Sequence, residues 1–349
     1  MPEAGVPGRV VTGSLRLLGA GRALPVCHAP DGPRSPVSNG DLAAILGAHA
    51  ASDRRRRAIE RMLADGGGRE RYWSHWIGSA EPHPDEPTAA ALAAEAAAAA
   101  LADAGLAAAD VDLFILALST STYPTIATAT DACDQLGFGG PSFDVKAGCA
   151  GSLYALQLAS VLCRSYRRIL VVGADCMSKY LDPAGLLGFA TVGDAAAALV
   201  VERGAEGNFV SAVAGDYGTW RTAGVFGTLP PDPGGDYRFR GTPTRLRDLI
   251  ARRYRESLRD LLDACGVAWA DLAGWIPHAI AGGLVRDVHA GFGGEIPLVD
   301  TFARYGNTGA ASLLLGLQAA RGTLGPGWAA LTALGGGMRW GSALWRDME

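Results

Sequence analysis

Short uninterrupted apolar runs alternate along this chain with longer segments in which apolar side chains recur every three to four positions. The first pattern is that of strands covered on both faces, the second that of amphipathic helices. "LRLLGAGRALP" (Leu15 to Pro25) reads as a strand leaving into a turn, and "SDRRRRAIERMLADGGGRER" (Ser52 to Arg71) as a charged helix stopped by glycines. An alanine-rich helix is predicted over about Ala89 to Ala104, closed by Gly105, and a buried strand in "VDLFILALST" (Val111 to Thr120). The alternation continues with a helix around Thr130 to Leu136, a short strand "SFDV" and a helix from about Gly151 to Arg164. The strands "RILVVGAD" (Arg168 to Asp175) and "GDAAAALVVER" (Gly193 to Arg203) follow.

A Gly/Pro-rich section (Gly227 to Thr244) then resets the pattern. Behind it come a long helix (about Arg245 to Ala264), a strand at "GWIPH", another helix, the apolar segment "IPLVDTF", a helix over "AASLLLGLQAARG" and the strands "WAALTALGGG" and "GSALWRDM". Helices alternating with apolar strands imply an α/β fold with helices on the faces of its sheet. The element order of residues 1–203 recurs in 204–349, which implies two duplicated halves although no residue-level repeat is visible.

Composition narrows the function classes. With 349 residues, 49% of them hydrophobic, the chain can bury a large core. A net charge of −4 argues against nucleic-acid binding, which needs a concentrated basic face. Of the 31 basic residues only Lys146 and Lys179 are lysine, a bias of GC-rich coding that weakens any argument from arginine or alanine frequency. The cysteines Cys27, Cys133, Cys149, Cys163, Cys176 and Cys265 form no CxxC pair, so neither a disulfide framework nor a metal site is expected. No apolar run is long enough to span a membrane and the N-terminus has no secretory pattern; a soluble, cytoplasmic protein without membrane partners is expected.

Four stretches carry chemistry. Cys149, in "KAGCAG", sits where a strand passes into a helix; a helix start stabilises a thiolate and can hold an oxyanion, whereas the bland reading is a core thiol. His278 ends the strand "GWIPH", where it could act as an acid, a base or a satisfied structural residue; His28, His49, His75, His83 and His289 read as surface or loop residues. Asn307 in "RYGNTGAAS" reads as a turn residue or as an amide donor to a carbonyl that gains charge. The glycines of "ALGGGMRWGSALW" fit a hairpin, or a backbone N–H donor lining a site where no side chain is tolerated.

In this order the motifs "GCAG", "PH", "GNTGAAS" and "GGGMRWGSA" resemble the thiolase-fold condensing enzymes, specifically β-ketoacyl-acyl-carrier-protein synthase III and its relatives in specialised metabolism. The likeness also covers "LLGAGRALP", "GGRER", "VVGAD" and "VGDAAAALVV", from about Leu15 to Arg346. It implies a five-layered αβαβα fold and a homodimer whose central sheets join. It also implies that Cys149 is the acylated nucleophile, that His278 and Asn307 polarise a malonyl thioester during decarboxylation, and that the backbone N–H groups of Cys149 and Gly336 form the oxyanion hole. No bound cofactor is implied; the acyl donors would be phosphopantetheine thioesters, on acyl carrier protein or coenzyme A.

The chain departs from the family around the substrate. Arg61 and Asp65 occupy the positions of a Trp and an Arg that clamp the adenine of coenzyme A, and "PHAIAGG" lacks the Asn and basic residue of the usual "PHQANLR"; Arg286 lies slightly downstream. Lys146 is unanticipated, with lowering the thiol pKa and pointing elsewhere equally open. The arginine-rich "RLRDLIARRYRESLRD", with Arg245 and Arg252, reads as a solvated helix face or as a docking surface for an acidic carrier protein. Tyr123 falls near the loop that shapes the acyl pocket. The resulting expectation is a ketosynthase that condenses an acyl group on Cys149 with a malonyl thioester, in polyketide-type metabolism. The alternatives are an acyltransferase of the same fold acting on an alcohol, an amine or a second carrier, and a non-catalytic partner subunit.

Overall fold

The apolar runs become the central strands of two five-stranded sheets. A computed structural model describes residues 8–49, 52–65, 68–77, 79, 81–123, 125–181, 190–215 and 243–346, so most of the Gly/Pro-rich section lies outside the described residues. The first sheet has the order β2 (Arg16–Ala23), β10 (Ala195–Glu202), β9 (Arg168–Asp175), β7 (Leu113–Ala117), β8 (Ser142–Val145). The second has the order β1 (Val10–Gly13), β11 (Phe209–Gly215), β14 (Arg339–Arg346), β13 (Trp328–Gly335), β12 (Leu272–Pro277). Small ribbons pair β3 (Cys27–Ala29) with β4 (Gly32–Arg34) and β5 (Val37–Ser38) with β6 (Glu70–Arg71).

The pairing senses match between the sheets. In the first, β2–β10 and β10–β9 are antiparallel and β9–β7 and β7–β8 parallel. In the second, β11–β14 and β14–β13 are antiparallel and β13–β12 parallel, with one further parallel bridge from Trp275 to Leu298. The segment "IPLVDTF" contributes only that bridge, because Asp300 turns its carboxylate to the Phe302 N–H and starts a new helix. β1 comes from the beginning of the chain yet pairs with β11, so the sheets divide the chain differently from its midpoint.

Helices fill the spaces around the sheets. Helix α3 (Ala89–Ala104), capped by Thr88 and Gly105, packs with α4 (Thr128–Leu136) on the outer face of the first sheet. Alanine on α3 meets glycine on β2: a Cβ at Gly21 would lie 2.3 Å from the Ala96 oxygen. Helices α5 (Gly151–Leu162) and α9 (Ala311–Ala320) lie between the sheets, joining Ile115, Val171 and Leu199 to Leu331 and Trp345 in one core. Helices α6 (Pro243–Cys265) and α7 (Gly282–Gly291) cover the far side of the second sheet. The five layers run helix, sheet, helix, sheet, helix. Helices α1 (Asn39–His49) and α2 (Asp53–Asp65) belong to an excursion near the N-terminus, and α8 (Phe302–Tyr305) precedes Asn307. Among the described residues no helix is long and apolar enough to cross a membrane.

Candidate active site

Cys149 lies two residues ahead of α5, where the chain turns after β8. The turn uses Gly148 in the left-handed region, φ 57°. A Cβ on Gly148 would stand 2.7 Å from the Gly336 nitrogen, and one on Gly335 only 2.5 Å from the Cys149 nitrogen. The bare backbones therefore let the β13–β14 hairpin rest directly on the cysteine turn.

The thiol is held neutral. Burial pushes the Cys149 pKa up to about 12, the Asp175 carboxylate adds to the rise, and only the residue's own backbone N–H opposes it. Lys146 is exposed and takes no part in this balance. Asp175 is itself fully buried at the end of β9, where its carboxylate accepts from the backbone of Ser119, Thr120 and Ala310 and from the Thr120 hydroxyl. Despite these donors, burial raises its pKa to about 6.

His278 follows β12 with its backbone held on both sides. Its N–H donates to the Thr332 carbonyl at 2.7 Å, and its carbonyl accepts from the Tyr254 hydroxyl at 2.9 Å. The side chain is fully buried, and desolvation drives its pKa to about 4 against hydrogen bonds with Asn307 and the Leu334 backbone. At neutral pH the imidazole is uncharged. Its Nε2 lies 3.0 Å from Asn307 Oδ1. Asn307 is pinned by bonds from its own N–H to the Thr191 carbonyl and from the Gly193 N–H to its carbonyl, while the Gly309 N–H donates to Oδ1 at 3.1 Å. Since the Gly309 N–H can only donate, the amide oxygen faces it and the amide nitrogen points elsewhere.

The structure packs the Gly335–Gly336 backbone on the Cys149 turn and pairs His278 with Asn307. The peripheral candidates are engaged elsewhere. Tyr123 is exposed, Arg252 lies 3.9 Å from Glu256, and Arg286 lies 3.7 Å from Asp300; the side chain of Arg245 lies outside the described residues. Arg61 is exposed on α2 and donates to the Arg57 carbonyl, while the Asp65 side chain lies outside the described residues. The arginine-rich helix is not wholly a solvated face: Arg253 is buried with its guanidinium 4.5 Å above the Trp340 ring. Tyr254, beside it, was not singled out by sequence. The available signal was a phenol on the apolar stripe Ile250, Tyr254, Leu258, where a hydroxyl requires a partner.

Other histidines are mostly structural. His75 sits 2.8 Å from Glu86, and His289, half-buried on α7 rather than on a loop, donates to the Ile296 carbonyl and stacks on Trp275; the His49 side chain lies outside the described residues. His28, His83 and Asp85 bring potential metal ligands together, but the two rings are stacked 3.9 Å apart and 4° from parallel. Their in-plane lone pairs run side by side instead of converging on one ion.

Comparison with known proteins gives consistent matches. Family models described as 3-oxoacyl-[acyl-carrier-protein (ACP)] synthase III and its C-terminal part match residues 143–218 and 262–347. A β-ketoacyl-[acyl-carrier-protein] synthase III from Streptomyces coelicolor is 35% identical over 251 residues, 66% of this chain and 74% of that protein. One from Cereibacter sphaeroides is 37% identical over 66% of this chain and 76% of its own. The crystal structure of 3-oxoacyl-(acyl carrier protein) synthase III from Pseudomonas aeruginosa superposes with a TM-score of 0.79 at 28% identity, covering 96% of this chain and 99% of that one.

Proposed function

The chain belongs to the 3-oxoacyl-[acyl-carrier-protein] synthase III family of thiolase-like condensing enzymes, and on that premise we propose that Cys149, His278 and Asn307 carry out its reaction. The enzyme is an acyl-transferring ketosynthase. One observation carries the assignment of roles: a buried, uncharged His278 paired with an Asn307 whose amide nitrogen is left free to donate.

In the loading half, Cys149 Sγ attacks the carbonyl of an acyl thioester. The Sγ–acyl bond forms, the bond to the phosphopantetheine sulfur breaks, and the thiol proton leaves with that sulfur. The N–H groups of Cys149 and Gly336 hold the developing oxyanion. In the condensing half, His278 Nε2–H, turning from Asn307 Oδ1 to the substrate, and the Asn307 amide nitrogen donate to the carbonyl oxygen of a malonyl-type thioester. Carbon dioxide departs, the electron pair of the broken bond becomes an enolate, and its carbon attacks the acyl-Cys149 carbonyl. Sγ leaves as thiolate and takes a proton from water, restoring the thiol. Neutral donors suit this step, because a histidinium would hold the substrate carboxylate and oppose its loss.

The altered entrance supports a place in specialised metabolism, with the acyl donor on acyl carrier protein or coenzyme A. Arg61 and the "PHAIAGG" sequence replace the coenzyme A and docking residues of the family pattern, while Arg247, Arg252 and Arg286 remain exposed. The open edge of β8 and the exposed apolar Leu158 and Val161 on α5 support a homodimer joined along the first sheet. The halves 1–203 and 204–349 would then supply the nucleophile and the two donors respectively.

Intact-protein mass spectrometry tests the assignment. Native protein incubated with acyl carrier proteins or acyl-coenzyme A gains an acyl adduct, Cys149→Ala does not, and malonyl carrier protein discharges the adduct with release of CO2 and a β-keto product. Discharge without CO2 would mean simple acyl transfer instead.

A further inference from the structure

Tyr254 is a buried polar group outside the Cys149, His278 and Asn307 set. It sits in mid-α6 with no exposed surface, on a stripe with Ile250, Leu258 and Leu261 where a phenylalanine would fill nearly the same volume. A hydroxyl in such a place is costly unless it has a partner. Its partner is the backbone carbonyl of His278 at 2.9 Å, and the same oxygen stands 3.5 Å from His278 Nδ1.

The surrounding contacts complete a cradle. The Tyr254 ring meets Trp275 edge-on at 6.3 Å, and the Trp275 indole N–H donates to Thr332 Oγ1 at 3.0 Å. The carbonyl of Thr332 takes the N–H of His278. The backbone of His278 is thus held at its N–H by β13 and at its carbonyl by the Tyr254 hydroxyl on α6 together with the Ile280 N–H at 3.0 Å. Burial opposes ionisation of Tyr254, so the phenol keeps its proton.

We propose that Tyr254 is a positioning residue for decarboxylation: its hydroxyl fixes the His278 peptide and stands against Nδ1, keeping Nε2 in line with Asn307 and the substrate oxygen. The proposal rests on the roles given to His278 and Asn307 above. A small misplacement of a donor costs about 10- to 100-fold in rate, whereas thiol reactivity does not depend on that alignment.

The test compares native enzyme, Tyr254→Phe and His278→Ala, with 3-fluorotyrosine at position 254 as the conservative replacement. Two rates are read: CO2 release from malonyl carrier protein, with kcat and KM separated, and alkylation of Cys149 by iodoacetamide followed by intact mass. Tyr254→Phe is expected to lose about 10- to 100-fold in kcat for CO2 release, with KM and alkylation nearly unchanged, and 3-fluorotyrosine to restore it. Native decarboxylation by Tyr254→Phe, while His278→Ala is inactive, would overturn the proposal alone. Native decarboxylation by His278→Ala would overturn the reading beneath it. Equal loss of both rates in Tyr254→Phe, or no recovery with fluorotyrosine, would make Tyr254 a packing residue and also overturn the proposal.

Discussion

Asn307 turns its amide oxygen both to His278 Nε2, 3.0 Å away, and to the Gly309 N–H at 3.1 Å. Both contacts fall on one atom, so the other end of the amide can only offer hydrogens to an incoming group. This arrangement makes the chemistry sensitive to a change of a single atom.

Asn307→Asp tests that sensitivity. The substitution keeps the oxygen that His278 and Gly309 use but replaces the donor by a second acceptor carrying negative charge. CO2 release from malonyl carrier protein is expected to fall about 10²- to 10³-fold, the cost of losing one oxyanion donor, while acyl adducts still form on Cys149. Unchanged CO2 release would remove Asn307 from the reaction.

The neutral thiol has its own signature. A cysteine whose pKa is pushed up to about 12 has only a trace of thiolate at pH 7, and that trace grows about tenfold per pH unit without levelling off near the ordinary thiol value. Iodoacetamide alkylation of Cys149, followed by mass spectrometry of its peptide, is expected to rise log-linearly from pH 7 to about pH 10. A plateau below pH 8 would show a thiolate stabilised by the helix start after all.

The hairpin contact predicts a steric effect. Gly335→Ala would press a methyl group to 2.5 Å from the Cys149 nitrogen and 2.7 Å from that of Ala150, where only backbone can yield. The variant is expected to lose about 1–3 kcal/mol of stability and to load acyl groups more slowly. Gly139→Ala, whose added methyl meets nothing within 4 Å, serves as the neutral control. Equal behaviour of the two in denaturation and acylation would refute the close packing.

Much of this was legible in sequence where local pattern and local chemistry agree. The run Leu113–Ala117 is buried at every position, as an uninterrupted apolar stretch demands, and the ordered motifs singled out Cys149, His278 and Asn307 as candidates. What escaped depends on contacts between distant segments. The partner of β1 lies about two hundred residues downstream in sequence. The surroundings of the Cys149 thiol come from a hairpin at the other end of the chain resting on its turn, and desolvation there raises its pKa. Tyr254 looked like one residue of an arginine-rich helix until α6 was laid against β13 and β14, with His278 beneath it. Of the three glycines 335–337, Gly335 answers to space and Gly337, with φ 93°, to backbone conformation, a distinction that the sequence "GGG" does not carry.

The buried histidine also predicts how stability responds to acid. His278 is held near pKa 4, below its ordinary 6.5, so the unfolded chain takes up its proton first as pH falls. Its neutral burial therefore adds stability that is fully present above pH 6.5 and is lost as pH falls through about 4. Asp175 works in the opposite sense: its pKa is raised from 3.8 to about 6, so its ionisation weakens the fold as pH rises across that window. Native protein alone would show the two effects partly cancelling, and a variant is needed to separate them. His278→Gln keeps an amide donor beside Asn307 but no longer titrates. Between pH 7 and 4.5, native protein is expected to lose about 2–3 kcal/mol relative to His278→Gln, read from denaturant midpoints at a fixed protein concentration. Asp175→Asn should shift the comparison the other way, with native protein gaining on the variant as pH falls from 7 to 4.5. A native-minus-variant difference that stays constant with pH for His278→Gln would mean that His278 titrates normally in the folded chain, and that its role as a neutral donor fails with it.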